Sequence, residues 1–202
     1  MTPKIKICGI SRVEDVTACN TYLPDYIGFM FWNGSKRYVT EEKASELSAL
    51  LDGNIKRVGV FLDHPISDVA KIASSGIIDI VQLHGHEDES YISELRSKIS
   101  IPVIKAFAVK NGATAEDING SSADMVLVDS GRGGTGEVFD WEFLKAISRD
   151  YMLAGGLNTD NAALAAQTGA DALDVSSGVE TDGYKDKDKI KAFIEAVRGI
   201  KE

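Results

Sequence analysis

Residues 151–178 read YMLAGGLNTDNAALAAQTGADALDVSSG, and this stretch decides the fold. A short apolar run, Tyr151–Ala154, stops at Gly155-Gly156. Asn158 then offers an N-cap oxygen, and Asp160 stands where the dipole of a starting helix favours an acid. A second apolar run, Ala172–Val175, ends at Ser176-Ser177-Gly178. The unit is strand, glycine turn, helix, strand. Apolar runs that are short and not strictly alternating mark strands buried on both faces of a parallel sheet.

The same unit recurs through the chain. Further runs lie at Lys4–Cys8, Tyr26–Phe31, Arg57–Leu62, Asp79–Leu83, Pro102–Phe107 and Met125–Asp129. Helix starts lie between them. Ser11-Arg12-Val13-Glu14 is a capping box, Thr40 precedes Glu41-Glu42, and Asp140 precedes Trp141-Glu142. A last helix over Lys187–Arg198 puts Ile190, Phe193, Ile194 and Val197 on one face. Strict alternation argues for a parallel sheet, and eight units of about 25 residues argue for closure. An open doubly wound sheet is the rival, but no G-x-G-x-x-G follows the first strand. The expectation is an α/β fold, a single-domain (β/α)8 TIM barrel of eight parallel strands over residues 1–202.

Composition fits that reading. Hydrophobic residues make up 44% and charged residues 26%, which excludes broad disorder. No apolar stretch is long enough to span a bilayer, and the first residues show no signal-peptide pattern, so a cytoplasmic location with no membrane partner is expected. Cys8 and Cys19, the two cysteines, make no disulfide framework. A net charge of −9 repels nucleic acid, so none is expected as partner. An anionic ligand must then be held by a local device.

In a barrel of this kind the site lies at the C-terminal ends of the strands. Gly155-Gly156 and Ser176-Ser177-Gly178 fall after strands 7 and 8, the usual phosphate grip, together with the N-terminus of a short extra helix. Alternatively these glycines only close tight turns. Cys8 ends strand 1 and reads either as a small buried hydrophobe or as a thiolate near cationic groups. Asp129 closes an apolar run and should face the barrel mouth, or else cap the next loop. A pair at Cys8 and Asp129 would flank the phosphate grip, which suits proton transfers on an anchored sugar. Arg37, in the loop after strand 2, suits a carboxylate, although such an arginine is often a solvated charge. Gln82 and His84 at the end of strand 4 are further candidates for substrate contact. His84 and His86 alone make a weak metal site, so no metal is expected, and His64 reads as a loop residue. Gly131–Gly136 lacks the P-loop spacing and reads as a mobile lid.

These residues, in this order, resemble the phosphoribosylanthranilate isomerase family of tryptophan biosynthesis. The resemblance runs through Lys6-Ile7-Cys8-Gly9, Gly28-Phe29, Ser35-Lys36-Arg37-Tyr38-Val39 and Val58-Gly59-Val60-Phe61. It continues through Val81-Gln82-Leu83-His84-Gly85, Asp129 with Gly133-Gly134-Thr135-Gly136, and Phe139-Asp140-Trp141. Ala154-Gly155-Gly156-Leu157-Asn158 and Asp174-Val175-Ser176-Ser177-Gly178-Val179-Glu180 complete it. It implies an Amadori rearrangement of N-(5-phosphoribosyl)anthranilate to 1-(2-carboxyphenylamino)-1-deoxyribulose 5-phosphate, without metal or cofactor. It also implies Cys8 as general base, Asp129 as general acid, and Arg37 on the anthranilate carboxylate. Gly156 and Ser177-Gly178 would hold the phosphate. Lys36 departs from the proline many relatives carry before the arginine. The implied chemistry needs a raised Asp129 pKa and a lowered Cys8 pKa. A monomer or a homodimer fits equally.

Three rivals remain at this level. A histidine-pathway aminoaldose isomerase would need two aspartates and a second phosphate grip. A metal-dependent pentose-phosphate epimerase would need more than His84 and His86. A non-catalytic sugar-phosphate sensor would not need Cys8 and Asp129.

Overall fold

The computed structural model describes residues 2–129 and 141–199. Eight strands pair in parallel in chain order: β1 (Lys4–Cys8), β2 (Tyr26–Met30), β3 (Lys56–Phe61), β4 (Ile80–Leu83), β5 (Val103–Ala108), β6 (Met125–Asp129), β7 (Tyr151–Leu153) and β8 (Ala172–Val175). The eighth returns to the first, with Lys6 in register with Asp174, and the sheet is a closed barrel. The expected (β/α)8 architecture is therefore present, and each expected strand lies within one residue of its observed bounds.

Outside the barrel run α1 (Val13–Tyr22), α2 (Glu41–Ala49), α3 (Ile66–Ser74), α4 (Glu89–Arg96), α5 (Ala115–Gly120), α6 (Ala162–Ala165) and α7 (Lys187–Arg198). Thr40 caps α2 by accepting the Lys43 N–H, as its sequence predicts. The box expected at Ser11 and Glu14 forms instead around Asp15, one residue further on. Its carboxylate accepts the N–H groups of Ser11 and Arg12 and the Arg12 guanidinium. The Arg12 guanidinium donates to Asp15 through Nε and Nη2, and these charge-assisted bonds hold that carboxylate over the Ser11 and Arg12 N–H groups.

Asn158 does not open a helix directly. Its side chain accepts from Asp160 and Asn161 in a local turn, and α6 begins only at Ala162. Between β6 and β7 the chain forms a 3-10 helix, Trp141–Ala146. The expected Asp140 cap and the Gly131–Gly136 lid lie outside the described residues. No helix among the described residues is long and apolar enough to cross a membrane.

Strand alternation sorts the core into two layers. Ile5, Ile7, Val126, Val128, Leu173 and Val175 pack outward against the helices. Cys8, Val58, Val60, Leu127, Met152 and Ala172 fill the barrel interior. Lys6 and Asp174 alternate with the outward set and so point inward. The same parity carries Cys8 and Asp129, the last residues of β1 and β6, to the mouth.

Candidate active site

The strand ends enclose a cavity of about 720 Å³. Cys8, Arg37, His84, Asp129, Gly155, Gly156, Ser176 and Ser177 all line it. These positions come from six different parts of the chain, which barrel closure brings together. Gln82 and Gly178 are not on the wall. Gln82 is fully buried beneath it, its amide nitrogen 2.9 Å from Nδ1 of His84. Gly178 instead joins the loops after β7 and β8 through a bridge to Asn158, where a Cβ would run into the Leu157 carbonyl oxygen.

The glycine loops have the geometry of an anion grip. Gly155 and Gly156 adopt positive φ, 87° and 72°, which turns the backbone toward the cavity without strain. Among the described residues, the N–H groups of Gly155, Gly156 and Ser177 donate to no protein acceptor. The expected short helix after β8 is absent. Ser176–Val179 form a turn that leads into a hairpin, β9 (Glu180–Thr181) and β10 (Tyr184–Lys185). Asp182 and Gly183 close it with φ of 54° and 82°, the two left-handed residues that a tight hairpin turn requires.

That hairpin supplies two charges the sequence reading did not single out. Glu180 accepts from Nε and Nη2 of Arg37 at 2.6 and 2.7 Å. The Lys185 ammonium contacts the same carboxylate and donates to the Ser176 carbonyl at 3.0 Å. Ser176 Oγ in turn donates to the Cys8 carbonyl, 3.0 Å away. Burial works against the Glu180 carboxylate, but Arg37 and Lys185 hold it below the usual carboxylate range. Burial pulls the Lys185 ammonium below its ordinary value despite Glu180.

A second pair lies under Cys8. Lys6 is fully buried and its Nζ donates to Asp174 at 2.9 Å. Burial would lower Lys6, but the Asp174 carboxylate and the Cys8 sulfur outweigh it and hold the ammonium above its ordinary value. Burial also pushes the Cys8 thiol up, and Asp174 adds to this; Lys6 and Lys185 pull the other way without prevailing. The expected lowering of Cys8 is thus corrected for this structure. The cationic groups are present, but desolvation of the thiolate is the larger effect. Cys8 has room only because β2 carries Gly28 beside it, where a Cβ would come 2.8 Å from Sγ and 3.2 Å from Cα of Cys8.

Across the mouth, His84 Nε2 lies 3.5 Å from Oδ2 of Asp129. The loop carrying His84 is tied down by Glu87. Its carboxylate accepts the N–H groups of Asp63 and Gly85 and the Lys105 ammonium at 2.8, 2.8 and 2.9 Å. His86 stands at the cavity rim with its side chain almost fully exposed, paired with Asp63 at 2.9 Å. His64 packs its ring edge-on against Phe61.

Known proteins share this architecture and sequence. Residues 5–196 match the family model described as PRAI: N-(5'phosphoribosyl)anthranilate (PRA) isomerase. An N-(5'-phosphoribosyl)anthranilate isomerase from Clostridium acetobutylicum is 45% identical over 207 residues, covering 98% of this chain and 99% of the relative. The crystal structure of the Thermus thermophilus phosphoribosyl anthranilate isomerase superposes with a TM-score of 0.88 at 31% identity, covering 97% of this chain and 98% of that one. A phosphoribosyl anthranilate isomerase solved with reduced 1-(o-carboxyphenylamino)-1-deoxyribulose 5-phosphate gives a TM-score of 0.83 at 34% identity, covering 98% and 100%.

Proposed function

The chain belongs to the N-(5'-phosphoribosyl)anthranilate isomerase family, and from that premise we propose that Cys8 and Asp129 are the general base and general acid of its reaction. The enzyme is an isomerase of tryptophan biosynthesis. The observation that carries the assignment of residues is their placement. Cys8 and Asp129 end β1 and β6 on the inward parity and flank, on either side, the unpaired N–H groups of the loops after β7 and β8.

The substrate is a small phosphorylated sugar adduct, N-(5-phosphoribosyl)anthranilate. A relative's complex with a reduced carboxyphenylamino-deoxyribulose phosphate supports this reading. Gly155, Gly156 and Ser177 hold the phosphate through backbone N–H groups, with Ser176 and Gly178 shaping that loop pair. Arg37 takes the anthranilate carboxylate. His84, seated on Gln82, borders Asp129.

Asp129 gives its proton to the ribose ring oxygen. The C1–O bond breaks, and the anthranilate nitrogen lone pair closes a C=N bond at C1. Cys8 must first give up its thiol proton, which burial opposes and the Lys6 and Lys185 ammonium groups favour. The thiolate then takes the proton from C2, and those electrons form C1=C2 as the C=N pair returns to nitrogen. Loss of the 2-hydroxyl proton and protonation at C1 leave the ketose. Atoms and electrons balance within the substrate, as an isomerisation requires.

The test is a fluorescence time course on freshly made substrate. Asp129→Asn and Cys8→Ala are each expected to slow turnover by about 10²- to 10⁴-fold, with little loss of affinity for the reduced product. Substrate consumption at the wild-type rate by either variant would remove the assigned role.

A further inference from the structure

We propose that Glu180 is a positioning residue that sets the Arg37 guanidinium for a carboxylate-bearing substrate, and so determines selectivity for the carboxylated aryl amine. This rests on the reading of Arg37 given above and goes a step beyond it.

Glu180 does not line the cavity, whereas Arg37 does. Its carboxylate is 7% exposed and engages the guanidinium side-on, through Nε and Nη2. A side-on pair uses one edge of the planar fork and leaves the other intact. Among the described residues, Nη1 has no hydrogen-bond partner. The remaining edge, Nη1 with the second Nη2 hydrogen, presents two parallel donors, the pattern that a carboxylate accepts bidentately.

Arg37 is held on its other flanks as well. Its aliphatic stem lies on Gly9, where φ is +86° and a Cβ would collide with Cδ of Arg37. Glu180 is itself fixed by Lys185, whose side chain is 1% exposed, on the opposite strand of the hairpin. Arg37, Glu180 and Lys185 together carry one net positive charge. That matches a single incoming carboxylate. Without Glu180, two cations would face each other across the same space, and the guanidinium would lose the anchor that fixes its plane. A ligand lacking the carboxylate strands both donors in a half-buried site, which is how a hydrogen-bonding pocket rejects an analogue.

The experiment compares equilibrium binding of two probes: reduced 1-(2-carboxyphenylamino)-1-deoxyribulose 5-phosphate and its phenylamino counterpart without the carboxylate. Wild type, Glu180→Gln, Glu180→Asp and Arg37→Ala are each titrated, with thermal melts run alongside. Glu180→Gln is expected to weaken the carboxylated probe by about 10- to 100-fold while leaving the other within about twofold, so the ratio of the two affinities collapses. Glu180→Asp keeps the charge but falls one methylene short of Arg37. It should lower the same ratio less, and it decides the matter if the glutamine variant does not fold. A wild-type ratio in either folded Glu180 variant, with a collapsed ratio in Arg37→Ala, overturns the positioning role alone. A wild-type ratio in Arg37→Ala instead overturns the carboxylate clamp on which it rests, and the positioning role falls with it.

Discussion

Replacing Lys6 with methionine isolates the energetics beneath the site. The Lys6 side chain is 0% exposed and that of Asp174 7%. Among the described residues, Oδ1 of Asp174 is buried without a hydrogen-bond partner, and Oδ2 is held by Lys6. Lys6→Met therefore leaves a whole carboxylate buried and uncompensated. Breaking such a pair costs about 3–5 kcal/mol. For a chain of this size that lowers Tm by roughly 6–20 °C. The raised Lys6 value means that this stabilisation is fully present at neutral pH. It fades only as pH climbs past the ordinary lysine value of about 10.4 and through the higher folded one. The double variant Lys6→Met/Asp174→Leu removes both charges and is expected to regain most of the loss, because a packed apolar pair needs no compensation. It is not expected to regain turnover, since Lys6 is one of the two ammonium groups that favour the Cys8 thiolate. Thermal melts and the fluorescence time course on wild type and the two variants read both effects. A single-variant loss under about 1 kcal/mol, or a double variant no more stable than Lys6→Met, would refute the picture of two buried charges that depend on each other.

Two further outcomes follow from the same geometry. Gly28→Ala puts a methyl against both Sγ and Cα of Cys8, so no change of side-chain rotamer relieves it. It should cost about 1–3 kcal/mol in urea melts and lower turnover, and wild-type activity would show that Cys8 is not held there. Alkylation by iodoacetamide should separate the cysteines by pH. Because burial raises Cys8, its rate in the unliganded protein should stay low near neutrality and climb only beyond the ordinary thiol value of about 8.5. Cys19, pushed up to about 12 by burial, should react only on unfolding; rapid Cys8 labelling at pH 7, read by mass spectrometry, would contradict the direction.

The fold was legible because parallel strands buried on two faces write themselves as short apolar runs, and a glycine turn follows several of them. Met125–Asp129 shows why: four apolar residues cannot end on a carboxylate in a core, so the acid marks the mouth. Helix starts were less legible. The Ser11 N–H expected to pair with Glu14 goes to Asp15, whose carboxylate is held by an Arg12 side chain that also reaches the Lys185 carbonyl. Asn158 could cap a helix or a turn, and its local contacts with Asp160 and Asn161 settle on the turn.

At the site, the wall residues were legible and their supports were not. Glu180 lies 143 positions from Arg37, and Asp174 lies 168 from Lys6, separations over which spacing carries no signal. Yet closure alone places β1 beside β8. A lysine inside one strand and an aspartate inside the other, each on the inward parity, are then partners by register. The Asp182-Gly183 pair between Glu180-Thr181 and Tyr184-Lys185 likewise marks a hairpin that turns two charges back to the mouth. The sign of the Cys8 shift is a different kind of quantity. It is the difference between the desolvation of a thiolate and the pull of two ammonium groups, opposed by Asp174. Each of these changes steeply with ångström distances and exclusion of water, so residue identities fix the contestants and only the packed geometry decides the winner.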